Sequence, residues 1–246
     1  MQPEGFVFFV IGLIFGSFGN VLLVRFKKKA SVGGRSHCMS CKRTLSPIDL
    51  VPVLSYAFLG GRCRQCGKHI SFQYPSVELG SGILFALAAA IYGTDLLHAV
   101  PTAFLLYFLL LASVYDAFYQ ELPDVLTGII AVLAVFLSVM SGGVLSSLQG
   151  VLLTSVWFGG QWVLSRGKAV GTGDVFLSGA LAIWLGFTGA VSMILFSYMI
   201  GAVIVLLLLA LRVINFKKER IAFGPFLALG ALVTFLGVGQ AYLQFL

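Results

Sequence analysis

The chain has 246 residues, 59% of them hydrophobic and only 10% charged, with a net charge of +7 and a mean hydropathy of +1.01. Ordinary soluble domains carry roughly 25% charged residues, so this composition lacks the polar side chains to cover a soluble surface, and an all-α polytopic membrane protein is expected. The excess of positive charge reads as membrane topology and contact with anionic lipid headgroups, not as nucleic-acid binding.

In chain order, apolar segments are predicted at about 6–24, 77–93, 100–115, 125–141, 145–164, 175–188, 190–211 and 223–245. These give about eight transmembrane helices, the sixth short and its boundary with the seventh the least defined. The first is not a secretory signal, because its basic cluster, Arg25 to Lys29, follows the apolar run instead of preceding it. That order places the N-terminus outside and the end of the first helix in the cytoplasm. The sixteen Lys and Arg then separate cleanly. Ten lie between Arg25 and Lys68, two are Arg166 and Lys168, and four are Arg212, Lys217, Lys218 and Arg220. With eight spans, all three groups fall on the cytoplasmic side. No convincing internal repeat and no low-complexity segment stand out.

The one substantial polar stretch, about 25–76, holds all four cysteines as Cys38-x-x-Cys41 and Cys63-x-x-Cys66, with 21 residues between the pairs. Two such knuckles suit a tetrahedral zinc site with four thiolate ligands, although the separation is slightly longer than in the usual zinc ribbon. Two disulfides are the alternative, and a reducing cytoplasm disfavours them. His37 and His69 flank the knuckles and are expected at the surface. Zinc would chiefly hold together a small, zinc-ribbon-like module with little core of its own.

Each of the nine acids has a structural account to be weighed first. Glu4, Asp95 and Glu219 fall at a terminus or in loops, Asp49 suits a turn, and Glu121 sits in the loop after the third span. Asp124 and Asp174 can each N-cap the span that follows, and taken singly that is the simpler account. Glu78, at the start of the second span, suits a helix N-terminus. Asp116 is harder to dismiss, because it sits in the last turn of a membrane helix, where the dipole disfavours an anion. The topology brings Asp116 and Asp174 to one membrane depth. Facing one another they would form a dyad in which one acid keeps a proton and the other stays an anion, the chemistry of aspartic proteolysis. No serine–histidine pair competes: Ser17 has no neighbouring His, and His98 falls on an external loop. Gly171 and Gly173 permit positive φ and let backbone pass close to backbone, so that an extended peptide can lie beside Asp174.

Several ordered motifs resemble the type IV prepilin peptidase family of GxGD-type aspartic membrane proteases. They are "GSFGNVLLVR" (16–25), the paired C-x-x-C module, "IDLVPVLSYAFLGGRCRQCG", "YPSVELGSG", "DAFYQELPD", "GTGDVFL" and "FGPFLALG". The resemblance implies an aspartic endopeptidase that removes the basic leader of type IV prepilins, pseudopilins or competence precursors at the cytoplasmic membrane face. By motif match it makes Asp116 and Asp174 catalytic and Asp124 supporting, with Gly171 and Gly173 in the loop. It also implies that many members N-methylate the new terminus with S-adenosylmethionine, an activity associated with the first spans and with the positions of Glu78 and Gly16–Asn20. Gly19 departs from the pattern, which often has a larger residue there. The short stretch from Arg25 to Cys38 resembles the compact form of Gram-positive systems.

The expected organisation is a first transmembrane helix at 1–24, a cytoplasmic four-cysteine module at 25–76 and a transmembrane peptidase core at 77–246, in the bacterial cytoplasmic membrane. Membrane lipids and single-span precursors are the expected partners. Two rivals remain: a transporter, disfavoured because its acids lie at the membrane edge and not at midplane, and a non-catalytic pilus-assembly factor that uses the cysteine module.

Overall fold

The computed structural model describes residues 3–28, 31, 33–212 and 221–244, with side chains to residue 237. Lys29, Lys217, Lys218, Glu219 and Arg220 lie outside the described residues. Each of the eight apolar segments is helical, and among the described residues no strand is formed. Four helices are long and apolar enough to cross a membrane: α1 (Pro3–Lys27), α3 (Gln73–Tyr92), α4 (Leu96–Tyr119) and α8 (Thr172–Ala210). Helix α2 is the short Leu54–Phe58. The remaining apolar helices are α5 (Asp124–Met140), α6 (Val144–Thr154), α7 (Gly160–Ser165) and α9 (Gly224–Gln244). A π-helical turn, Ser155–Gly159, joins α6 to α7 without a break.

The chain divides into two units, Met1–Leu111 and Ala112–Leu246. In the first, α1 packs along α3 through small residues. A Cβ on Gly12 would come within 2.5 Å of the Ser81 carbonyl oxygen, and one on Gly16 within 2.6 Å of the Glu78 Cα. Gly12 and Gly16, four apart, thus form a small-xxx-small face of the kind that lets membrane helices touch backbone to backbone. Gly19, the family departure, faces α4 instead. The room a larger residue would need there is filled by Leu111 and by Tyr107, whose hydroxyl donates to the Phe15 carbonyl at 2.9 Å. Gly16→Leu is expected to cost at least about 3 kcal/mol, more than an ordinary overpacked core, because the obstacle is backbone. Thermal unfolding in detergent measures it.

In the second unit, α8 packs against α5, α6 and α9. At 39 residues α8 would be about 58 Å long if straight, but it kinks at Gly186, which has φ 69° and ψ −172°. That conformation is open only to glycine. The kink removes the hydrogen bond from Phe187 N–H to the Ile183 carbonyl. Both halves are satisfied by consecutive serines of α6. Ser146 Oγ accepts the Phe187 N–H at 2.9 Å, and Ser147 Oγ donates to the Ile183 carbonyl at 2.6 Å. Polar side chains are the means by which an interrupted membrane helix keeps its backbone bonded. The border between the sixth and seventh apolar segments therefore falls at Gly186, where two helical segments, 172–185 and 187–210, meet.

Candidate active site

Asp116 and Asp174 both belong to the second unit and both are buried, 6% and 8% exposed. Asp116 lies one turn before the end of α4. Gln120 just beyond adopts φ 53° and donates its N–H to the Asp116 carbonyl at 2.7 Å, which closes the helix in the left-handed manner common at C-termini. The Asp116 side chain accepts the backbone N–H of Gly224 on Oδ2 at 2.9 Å. The first turn of α9 therefore meets the carboxylate that its own helix dipole disfavours.

Asp174 does not N-cap its helix. The N-cap is Gly171 and Asp174 is the third helical residue. It reaches back so that Oδ2 accepts the Gly171 N–H at 3.2 Å, the acidic half of a capping box. Neither Gly171 nor Gly173 uses a positive φ. Gly171 is extended, with φ −76° and ψ 155°. Close approach is what Gly173 provides, since a Cβ there would stand 2.7 Å from Leu122 Cβ. Leu122 belongs to the loop that follows Asp116, so this glycine seats the α4–α5 loop against the start of α8.

Both carboxylates are buried in the second unit, and the loop that follows Asp116 is seated through Leu122 on Gly173, the residue before Asp174. Each has one oxygen held by a glycine N–H, Asp116 by Gly224 of α9 and Asp174 by Gly171 at the N-cap of its own helix. Such a pair can hold one proton between two acids, with one ready to accept a proton from water and the other ready to donate.

Asp124 is not an N-cap either. Pro123 takes that place and Asp124 is the exposed first residue of α5. Glu121 is exposed in the same loop. Glu78 belongs to the first unit, where it is 8% exposed. Its Oε2 accepts the Val53 N–H at 2.7 Å, and Ser17 also hydrogen-bonds the carboxylate. Val53 has φ 61°, uncommon for a β-branched residue, so Glu78 anchors a strained turn. Near it, Asn20 donates to the carbonyls of Gly16 and Tyr74, while its buried Oδ1 has no partner. These contacts could not be read from the sequence. Gly224 was legible only as part of the motif "FGPFLALG".

The four cysteine sulfurs gather within 4.8 Å of one another, a cluster able to hold a metal ion. Cys38 and Cys66 Sγ are 4.0 Å apart, near the edge of a tetrahedron with Zn–S of about 2.3 Å and about twice a disulfide length. The knuckles repeat one another at an offset of 25 residues. Cys38 N–H donates to the Arg43 carbonyl and Lys42 N–H to the Cys38 carbonyl, as Cys63 N–H does to Lys68 and Gly67 N–H to Cys63. Lys42 and Gly67 occupy the same left-handed position, with φ 61° and 67°. This short repeat escapes the sequence, which shares little between the knuckles besides the cysteines.

Backbone N–H groups of Cys66 and Gln65 lower the Cys63 thiol to about 6, and those of Cys41 and Ser40 lower Cys38. Burial and the neighbouring thiols push Cys66 the other way, up to about 11. Asp49 is a turn residue as expected. It accepts from the Ser46 hydroxyl at 2.8 Å and pairs with Arg64 at 2.8 Å, and the Ser46 hydroxyl is the main reason its carboxyl sits below the usual range.

Comparison with known proteins bears on both units. The bacterial peptidase A24 N-terminal domain family matches residues 10–92, and the type IV leader peptidase family matches residues 103–206. A prepilin leader peptidase/N-methyltransferase of Bacillus subtilis (strain 168) is 31% identical over 97% of this chain and 96% of its own length. A type 4 prepilin-like proteins leader peptide-processing enzyme of Escherichia coli O78:H11 is 31% identical over 91% and 90%. A prepilin leader peptidase/N-methyltransferase of Dickeya chrysanthemi is 31% identical over 93% and 91%. No solved structure matches the chain.

Proposed function

The chain belongs to the type IV leader peptidase family, and from that premise we propose that Asp116 and Asp174 are the acids that cut the leader. The enzyme is a prepilin peptidase of the membrane. The observation that supports the assignment is the pair of buried carboxylates, each tethered by a glycine N–H, with the loop after Asp116 seated on Gly173 beside Asp174. In the proposed reaction one aspartate takes a proton from water as the water attacks the scissile carbonyl. The other gives its proton to the departing amine as the C–N bond breaks. The precursor is a single-span protein whose basic leader stays in the cytoplasm, with its leader–helix junction at the depth of the dyad. Gly171, Gly173 and Asp124 support this loop region without acting on the bond.

The orientation follows the basic residues: N-terminus outside, cysteine module cytoplasmic, in the inner membrane. Zinc is the metal proposed for Cys38, Cys41, Cys63 and Cys66, as a structural ion. Exposed Phe58, Phe72 and Ile48, with Arg62, Arg64 and Lys68 in the same module, suit contact with lipid tails and anionic headgroups. Methylation is assigned to the first unit. The unpartnered Asn20 Oδ1 and the Glu78 carboxylate, on adjacent helices, are acceptors suited to a donor-bearing or cationic group. S-adenosylmethionine would supply the methyl group.

Incubating the purified enzyme with a panel of single-span pilin-like precursors, then reading new N-termini by mass spectrometry, tests the proposal. Cleavage at the leader–helix junction is expected. Adding S-adenosylmethionine is expected to add the mass of one methyl group to the product. Intact precursors across the panel would reject the peptidase assignment.

A further inference from the structure

The motif "FGPFLALG" opens α9, and nothing in the reaction above uses it. Its chemistry leaves one backbone donor over. Phe223 is the N-cap, since its carbonyl accepts the N–H groups of Phe226 and Leu227 at 3.0 and 3.1 Å. Pro225 has no N–H. The first helical residue, Gly224, is left with a free N–H of the kind a helix start presents, and it donates to Asp116 Oδ2 at 2.9 Å in a buried setting.

The residue type fits this contact. A Cβ at position 224 would stand 2.7 Å from Asp116 Oδ2 and 3.2 Å from Cγ, so any side chain would push the carboxylate away. The preceding residue fixes the approach. The Phe223 ring packs on Tyr198 at 5.3 Å, Phe158 at 5.9 Å and Phe226 at 6.2 Å. Phe158 is fully buried and belongs to the π-helical turn, which shifts helical register by one residue relative to a regular α-helix.

We propose that Gly224 is a positioning residue for leader cleavage: its N–H holds the Asp116 carboxylate in the orientation that reaches water and substrate, and its missing side chain makes room for it. The proposal rests on Asp116 being catalytic. One carboxylate oxygen is occupied by the fixed donor, and the group cannot turn about its Cβ–Cγ bond without losing that hydrogen bond. A hydrogen bond to a charged group is worth about 1.5–3 kcal/mol, which corresponds to about 10- to 100-fold in rate.

The test replaces the amide at position 224 by an ester, with glycolic acid introduced at an amber codon in cell-free translation into lipid nanodiscs. This removes the N–H and adds no side chain. Expected is a fall in kcat of about 10- to 100-fold with KM unchanged and the same melting temperature, a split that loosened packing would not give. An ester enzyme with the parent kcat overturns the proposal. Should the ester fail to assemble, Gly224→Ala serves in its place: it keeps the donor but inserts the Cβ, and an alanine enzyme with the parent kcat overturns the proposal equally. Asp116→Asn is measured alongside. Cleavage by that variant removes the dyad itself, whereas an inactive Asp116→Asn beside a fully active ester removes only the role of Gly224.

Discussion

Asp116→Asn and Asp174→Asn are each expected to reduce leader cleavage by at least about 10³-fold, with no matching loss of folded protein. The size follows from the chemistry. An amide neither takes a proton from water nor gives one to a leaving amine, and general acid–base catalysis is worth about 10²–10⁴ for one such group. The fold survives because the amide oxygen can still accept the same glycine N–H, Gly224 for position 116 and Gly171 for position 174. The double variant is expected to be no slower than either single one, since groups that act as a unit are not additive. Single-turnover assays on a fluorescent precursor measure the rates, and melting in detergent controls for folding. Residual cleavage within about tenfold of the parent in either variant excludes the dyad.

How far the sequence carries this conclusion differs between the parts of the site. The positions of the two acids at the edges of apolar segments were legible, because a carboxylate in the last turn of a membrane helix is costly and invites an explanation. What holds them was not. Gly224 is 108 residues from Asp116, and no periodicity or spacing links them. The capping accounts of Asp124 and Asp174 each missed by a residue or more, because Pro123 and Gly171 take the N-cap. A proline with fixed φ and an extended glycine both supply that non-helical conformation without a side-chain cap. Helix existence was easy to read from long apolar runs, and the break near Gly186 was read as the border between the sixth and seventh of them. How that break is bonded was not legible, because Ser146 and Ser147 lie some 40 residues away and only the fold brings them to it.

The cysteine module gives the second large effect. Cys63→Ser is expected to take bound metal from one ion per chain to near zero and to open Ser36–Ile70 while the helices of the first unit stay protected. The module has few other resources. Its residues are mostly exposed, and among its cysteines only Cys63 is buried. Apart from the short helix α2 and a 3-10 turn, Pro47–Leu50, its backbone is held by the two knuckle repeats. Structural zinc in small domains contributes about 10–16 kcal/mol of apparent binding free energy at neutral pH, far above what a stretch of this size draws from packing. The burial of Cys63 also makes serine a poor replacement, since a hydroxyl there brings neither the thiolate charge nor the reach of sulfur. A chelator of high zinc affinity is expected to reproduce the substitution in the parent protein, reversibly on adding zinc. Elemental analysis reads the metal, and hydrogen exchange resolved by mass spectrometry reads the opening. The Glu78–Val53 hydrogen bond provides an internal control, for it ties the module to α3 without touching the cysteines. Glu78→Gln is therefore expected to loosen the turn around Val53 while leaving the metal in place. If Cys63→Ser keeps its full metal content, the cysteine cluster is not the metal's site.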